Sequence, residues 1–151
     1  MVDNEFIIRE IIWEKYGVFL DTVSDMDSVT ELNLANNGIT DVTPLAVLTK
    51  LEKLDLYKNQ ITDLTPLAGL TKLEELGLGT NQIADLTPLE GITKLKELRL
   101  YLNDVNNLTP LSGLKKLERL NLEDNPNLTK TEIEKLNKLL PKCKITHNAT
   151  L

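Results

Sequence analysis

Apolar residues at Val29, Leu51, Leu73, Leu95 and Leu117 open successive units of 22 residues, the last of which runs to Asn125. A fixed period of this length marks a supersecondary unit that cannot bury its apolar side alone and has to stack on copies of itself. The chain is therefore constrained to a solenoid, in which each unit touches only its neighbours and the stack presents one long concave surface. Its function becomes a question about a surface rather than a pocket.

One unit reads Leu51-x-x-Leu54-x-Leu56-x-x-Asn59-x-Ile61-x-Asp63-Leu64-x-Pro66-Leu67-x-x-Leu70-x-x. The alternation at Leu54-Asp55-Leu56 has the two-residue period of a short strand, which turns Leu54 and Leu56 inward and Lys53, Asp55 and Tyr57 outward. Stacking such units makes a parallel sheet. The column Asn37, Asn59, Asn81, Asn103 and Asn125 falls where the chain leaves that sheet, so its amides are expected to pair buried backbone groups rather than a ligand. The return stroke carries Thr43-Pro44-Leu45, Thr65-Pro66-Leu67, Thr87-Pro88-Leu89 and Thr109-Pro110-Leu111. Proline fixes φ and lacks an N–H, which suits the first position of a short helical turn on the convex side. At roughly 1.5–3 kcal/mol per buried aliphatic side chain, the inward positions of each unit supply an adequate core. The fourth unit drifts, with Val105 for isoleucine and Asn107 where Asp41, Asp63 and Asp85 stand.

Both flanks change character, as the ends of an open solenoid require. In front, Phe6, Ile7, Ile8, Ile11, Ile12, Trp13 and Tyr16 recur at helical spacing and Gly17 is placed to stop the helix, with Trp13 expected to pack on the first repeat. Behind, Thr129 and Glu132 form a capping-box pair ahead of Ile133, Leu136, Leu139 and Leu140, and Pro141 ends the run. Cys143 and Ile145 then alternate with Lys142, Lys144 and Thr146 like a short half-buried strand, making Cys143 a structural thiol. Asn148-Ala149-Thr150 matches a glycosylation acceptor. The expected organisation is a single domain: a helical cap over 1–28, five repeats over 29–125 and a second cap over 126–151, with both caps covering the sheet edges and the chain monomeric.

The 17 basic and 23 acidic residues, a net charge of -6, speak against nucleic acid or an anionic membrane surface, both of which need clustered positive charge. One cysteine and one histidine leave too little for a disulfide framework, a thiolate metal site or a Ser-His-Asp constellation. Acidic columns one repeat apart lack the roughly six to eight oxygens that calcium takes. No metal, cofactor or catalytic residue is therefore expected. No apolar run reaches the roughly 18 residues that span a bilayer, and the acidic start is unlike a signal peptide. The expected location is the cytoplasm, or the exterior if a signal has been removed.

The pattern Asn-x-Ile-x-Asp-Leu-x-Pro-Leu within 22-residue units resembles the leucine-rich repeats of bacterial internalins and of a eukaryotic phosphatase-1 regulatory subunit. The flank Thr22-Val23-Ser24-Asp25 leading into Val29-Thr30-x-Leu32 also resembles the internalin helical cap. The resemblance implies an α/β solenoid: a horseshoe segment with short parallel β-strands on the concave face, helical turns on the convex face and helical caps at both ends. It also implies binding of a protein partner through the concave face, as in bacterial host recognition or, alternatively, in an intracellular adaptor or phosphatase regulator. Internalins are usually secreted or wall-anchored and carry an immunoglobulin-like domain after the repeats; neither feature is matched here. A structural scaffold of idealised repeats is the third reading.

The units over 51–72 and 73–94 are identical at 15 of 22 positions. Four of the seven differences, Lys53/Glu75, Asp55/Gly77, Tyr57/Gly79 and Lys58/Thr80, fall on the outward side of the strand segment, so scaffold is held while the concave face varies. Gly77 and Gly79 leave the third strand bare, and glycine in a strand often marks the close approach of another backbone. Tyr57 and Tyr101 stand on either side, two strand spacings or roughly 9–10 Å apart. The expected site is floored by Gly77 and Gly79, walled by Tyr57 and Tyr101, flanked by Lys53, Lys58 and Arg99 and bordered by Leu102, and would suit a partner side chain or an acidic segment. Tyrosine and arginine are the residue types most often found at interface hot spots. The competing reading has the tyrosines lying over the glycines to shield the sheet.

Overall fold

The computed structural model describes residues 3–17 and 23–150. Six strands, β1 (Glu31–Asn33), β2 (Lys53–Asp55), β3 (Glu75–Gly77), β4 (Glu97–Arg99), β5 (Arg119–Asn121) and β6 (Lys144–Thr146), form one sheet in chain order. All neighbours are parallel, and the register aligns repeat with repeat: Glu31, Lys53, Glu75, Glu97 and Arg119 form one column, ending at Lys144. Short 3₁₀ turns at Thr43–Val47, Thr65–Leu67, Thr87–Leu89 and Thr109–Leu111 carry the chain back along the convex side, each with its proline in the first positions. Leu51, Leu54, Leu56, Ile61, Leu64, Leu67 and Leu70 are all buried, so the seven apolar positions of one repeat form one layer of a continuous core. This is the α/β leucine-rich solenoid that the period predicts.

The asparagine column holds the layers together. Asn59 accepts from Ile39 N at 2.9 Å and donates to Leu34 O at 3.0 Å in the preceding repeat and to Leu56 O at 2.9 Å in its own. Asn81, Asn103 and Asn125 repeat the pattern, with donation to Leu56 O, Leu78 O and Leu100 O of the preceding repeat at 3.0, 2.9 and 2.9 Å. Asn37 has no preceding repeat to reach and donates locally to Ala35 O.

The convex aspartates have a separate role. Asp41, Asp63 and Asp85 accept from Thr43 N, Thr65 N and Thr87 N at 2.8, 2.8 and 2.9 Å, and Asn107 accepts from Thr109 N at 3.0 Å. Each side chain thus satisfies an N–H at the start of a 3₁₀ turn, and the drift to Asn107 conserves the bond because an amide oxygen accepts as a carboxylate does. The threonine hydroxyl first, and its backbone N–H second, hold the three carboxyls below the ordinary aspartate range.

At the front, α1 (Asn4–Tyr16) is capped by Asp3, which accepts from Phe6 N, and closed by Gly17 in the left-handed conformation. Ile8 and Ile12 are buried against the core while Trp13 is 42% exposed and Phe6 is also exposed. The expected packing of Trp13 on the first repeat is therefore corrected. At roughly 100° per residue, Ile8 and Ile12 define the packed stripe, and Phe6 and Trp13, seven residues apart, fall together on another side of the helix. A short helix, α2 (Val23–Asp27), follows; Thr22 of the flanking motif and the side chain of Tyr16 lie outside the described residues.

At the back, α3 (Lys130–Leu139) is capped by Thr129, which accepts from Glu132 N. Only half of the capping box forms, because the Glu132 carboxylate turns instead to Lys135 and to Leu108 N. Cys143 is buried, and burial pushes its thiol up to about 11, which leaves it protonated and inert at neutral pH. The strand expected around Ile145 is β6, which extends the sheet beyond β5. The rear of the sheet thus ends on a further strand, and among the described residues no strand pairs with its outer side. A three-residue edge carrying Lys144 is a weak template for further pairing. Asn148 accepts from Asp124 N and returns a bond to Asp124 Oδ1, both at 2.8 Å, so the amide of the glycosylation motif is part of the end structure.

Two predictions follow from these columns. Asn103→Ala strands Ile83 N and removes one of the two amides received by each of Leu78 O and Leu100 O, and should lower unfolding free energy by about 1–3 kcal/mol in urea titration, whereas Asn37→Ala should have a smaller effect. For the aspartates, a folded pKa below the unfolded one means that the contribution is present above about pH 4 and is lost as pH falls through the folded values. Thermal melts taken from about pH 5 down to about pH 2 should show a smaller acid loss in the Asp41→Asn/Asp63→Asn/Asp85→Asn variant, which keeps the bonds in the form Asn107 uses; an equal loss would assign the acid sensitivity to other carboxylates.

Candidate functional site

The concave face is built from the outward positions of five strands and the residues that follow them. The ladder bond that would continue from Tyr57 N to Leu34 O is lost, because Asn59 occupies that carbonyl. Tyr57 N turns to Asp55 Oδ1 at 2.9 Å instead. Ala35 N and Glu123 N are met in the same way by Asn33 and Asn121, at 2.9 and 3.0 Å. The second outward column is thus partly a set of backbone caps. Sequence reasoning treated it as free surface, although the signal was available: Asn or Asp two residues before a strand-end N–H is the local pattern of an Asx turn.

The two tyrosines do not wall an open gap. Their ring centroids are 6.0 Å apart with planes at 38°, against the roughly 9–10 Å that two strand spacings would give. Both rings lean inward because Gly79 offers no side chain between them. A β-carbon at Gly79 would lie 2.5 Å from Tyr101 Cε1 and Cζ, so the Tyr101 ring rests on the Gly79 backbone. Such a tilted aromatic pair contributes about 0.5–1.5 kcal/mol beyond its buried area. The expected floor at Gly79 is therefore covered, as the shielding reading has it, while Tyr57 remains 37% exposed above it. Burial first, then the neighbouring Tyr57 and Asp55, raises the Tyr101 phenol above its ordinary value.

Gly77 lies in a separate depression of about 180 Å³, shared with Lys53, Asp55, Glu75 and Arg99. The Asp55 carboxylate leans into the space a side chain at Gly77 would fill, 2.7 Å from the β-carbon position, with Arg99 Nη1 3.7 Å away. The cations beside it are already engaged. Lys53 Nζ lies 3.7 Å from Glu31 and 3.4 Å from Glu75, and these partners raise its pKa, Glu75 foremost. Arg99 Nε donates to Glu97 at 2.7 Å, and Arg119 pairs with the other oxygen of the same carboxylate. The Arg99 bond first, then Arg119, holds the Glu97 carboxyl below its ordinary range. Of the three cations expected to flank the site, Lys53 and Arg99 are thus compensated within the face. Lys58 has no ion pair among the described residues.

Lys58 and Leu102 belong to a third group. With Asn36, Thr80 and Asp124 they form a column at φ 54–60° immediately before each ladder asparagine. Asparagine and aspartate tolerate the left-handed region; lysine, leucine and above all β-branched threonine are strained there. Lys58 and exposed Leu102 are thus displayed at the turn, beyond the tyrosine pair rather than around Gly77. A larger cleft, about 580 Å³, lies elsewhere, between α1 and the first 3₁₀ turn beside Ile8, Met26 and Pro44. Among the described residues no group of three or more His, Cys, Asp or Glu side chains is arranged to hold a metal ion, and no helix is long and apolar enough to cross a membrane.

Gly79→Ala should force the Tyr101 ring off the sheet and lower unfolding free energy by about 1–3 kcal/mol, as overpacking does. Gly69→Ala, where nothing lies within 4 Å of an added β-carbon, is the control and should change urea stability little. Equal effects at the two positions would contradict the contact.

A family model of leucine-rich repeats in two copies matches residues 27–69 and 49–91. No curated protein matches the chain. Among solved structures, an internalin of Listeria monocytogenes (inlF) is 30% identical with a TM-score of 0.85, covering 96% of this chain and 44% of its own. Internalin C2 of the same organism is 26% identical with a TM-score of 0.67 over 96% of this chain and 85% of its own. A leucine-rich repeat protein of Leptospira interrogans is 31% identical with a TM-score of 0.67 over 80% and 38%. The chain thus spans less than half the length of two of the three. With the repeat pattern, the register of the sheet and these likenesses together, the chain is a leucine-rich repeat protein, internalin-like in its repeats and in its fold.

Proposed function

We propose that this protein is a non-enzymatic interaction module that binds a protein partner through its concave face, with Tyr57 and Tyr101 at the centre of the contact. One observation carries the reading: a tilted tyrosine pair stands on a face whose charged residues are largely bound to one another. Aromatic side chains ordered before contact lose little rotamer freedom on binding, which is how tyrosine serves at interface hot spots. Lys58 and Leu102 extend the contact along the turn, and Lys53, Gly77 and Arg99 extend it along the strands. The likeness to internalins supports a surface-recognition role over a phosphatase-regulating one.

The test is affinity capture from candidate host and native lysates with the wild type and the Tyr57→Ala/Tyr101→Ala variant side by side. A protein retained by the wild type should bind the variant at least about 30-fold more weakly, the scale of a 2 kcal/mol hot spot. The variant should remain folded by circular dichroism, with a stability loss of about 1–2 kcal/mol from the broken ring pair. Unchanged affinity of a captured partner would move the site off the tyrosines.

A further inference from the structure

Every repeat leaves one N–H outside the strand ladder, in the second to fifth because the ladder asparagine takes the carbonyl it would have met and in the first because no repeat precedes it. Three of these donors are closed internally: Ala35 N by Asn33, Tyr57 N by Asp55 and Glu123 N by Asn121. The third and fourth repeats carry Gly77 and Arg99 at the capping position. The carbonyls in line with Gly79 N and Tyr101 N, Leu56 O and Leu78 O, each accept from two asparagine amides. Among the described residues, neither Gly79 N nor Tyr101 N has an acceptor. They follow the adjacent strands β3 and β4, whose spacing is ~4.8 Å, directly at the tyrosine pair. The hydroxyl of Thr80, next in the chain, is also buried without a partner. A buried polar atom left unpaired is uncommon, and the Thr80 hydroxyl falls beside these two open N–H groups in the part of the face where the caps are missing.

We infer that the amides of Gly79 and Tyr101 are a binding site for neutral carbonyl oxygens of an extended partner segment, which supply from outside the cap that Asn33 and Asn121 supply from within. The inference rests on the concave-face reading and names the chemistry of its partner. A neutral acceptor fits where a carboxylate does not. Asp55 already leans over Gly77, Glu75 and Glu97 stand opposite each other in register, and Arg99 is bound to Glu97. A further carboxylate would meet Asp55 at close range, and Lys53 and Arg99 beside it are already paired with glutamates. Two of the three internal caps are themselves neutral amides. Access requires the Tyr101 ring to swing from Gly79, a side-chain rotation of the kind that interfaces commonly show on binding.

The carbonyl can come from a main chain or from an Asn or Gln side chain, and blocked tripeptides separate these. Acetyl-Ala-Asn-Ala-amide, acetyl-Ala-Ala-Ala-amide and acetyl-Ala-Asp-Ala-amide are titrated into the ¹⁵N-labelled protein, and the amide resonances of Gly79 and Tyr101 are followed against those of Ala35 and Tyr57 as capped controls. The Asn peptide should shift Gly79 and Tyr101 selectively; an equal response to the Ala peptide assigns the contact to main-chain carbonyls, and a weaker one to the carboxamide. Arg99→Asn, which recreates the internal cap, should raise the melting temperature and reduce the Tyr101 response about tenfold, the scale of one hydrogen bond. A stronger response to the Asp peptide overturns the neutral-acceptor assignment. Shifts equal to those of Ala35 and Tyr57, no shift at all, or a Tyr101 response that survives Arg99→Asn overturns the site. None of these outcomes touches the concave-face reading itself, which fails only if a captured protein is indifferent to the loss of Tyr57 and Tyr101.

Discussion

The asparagine amide at the end of each strand is the constraint on which the rest depends. Leu56 O, Leu78 O and Leu100 O each receive two asparagine amides, one from their own repeat and one from the next. The backbone turn is therefore closed in pairs of repeats, which is the nearest-neighbour coupling that makes a solenoid cooperative along its axis. The ends show what happens when a neighbour is missing. Asn37 falls back on Ala35 O, and at the rear Asn148 meets Asp124 N where the next repeat would have presented a carbonyl.

The same constraint governs how the concave face displays its side chains. Closing the asparagine turn forces the preceding residue into the left-handed region at all five repeats, whatever its identity. Lys58, Thr80 and Leu102 accept a conformation that costs about 1–2 kcal/mol each for an ordinary residue. Recurrence at every repeat marks this as a requirement of the scaffold rather than a sign of function, for Asn36 and Asp124 occupy the same position without comparable strain. What the strain accomplishes is display: a side chain there stands at the rim of the face, as exposed Leu102 does.

Much of this was legible in the residues. The 22-residue period gave the stacking, alternation at Leu54 and Leu56 gave the strand faces, and Thr-Pro-Leu gave the convex turns, because each is a local rule acting within one repeat. What escaped the sequence depends on side chains meeting between repeats. The closing of the tyrosine gap needed the lean of Tyr101 onto Gly79; the capping by Asn33, Asp55 and Asn121 needed the knowledge that the ladder carbonyls were already taken. Trp13 was misplaced for a related reason: a helix rich in apolar residues on several sides does not say which stripe the first repeat will cover, and Ile8 with Ile12 took it.

Charge on the concave face is arranged to cancel at short range. Lys53 lies between two glutamates and Glu97 between two arginines, so the columns read as alternating pairs along the sheet. Exposed pairs of this kind contribute little stability, typically about 0–1 kcal/mol, and their effect on recognition is larger than their effect on folding. A face that is locally neutralised steers an approaching charged protein weakly. Discrimination then has to come from contacts made at short distance, through the shape of the tyrosine pair and the direction of the N–H groups beside it. The lean of the pair comes from Gly79, and the open N–H groups come from two departures in the capping column, Gly77 and Arg99, on a scaffold that otherwise repeats itself.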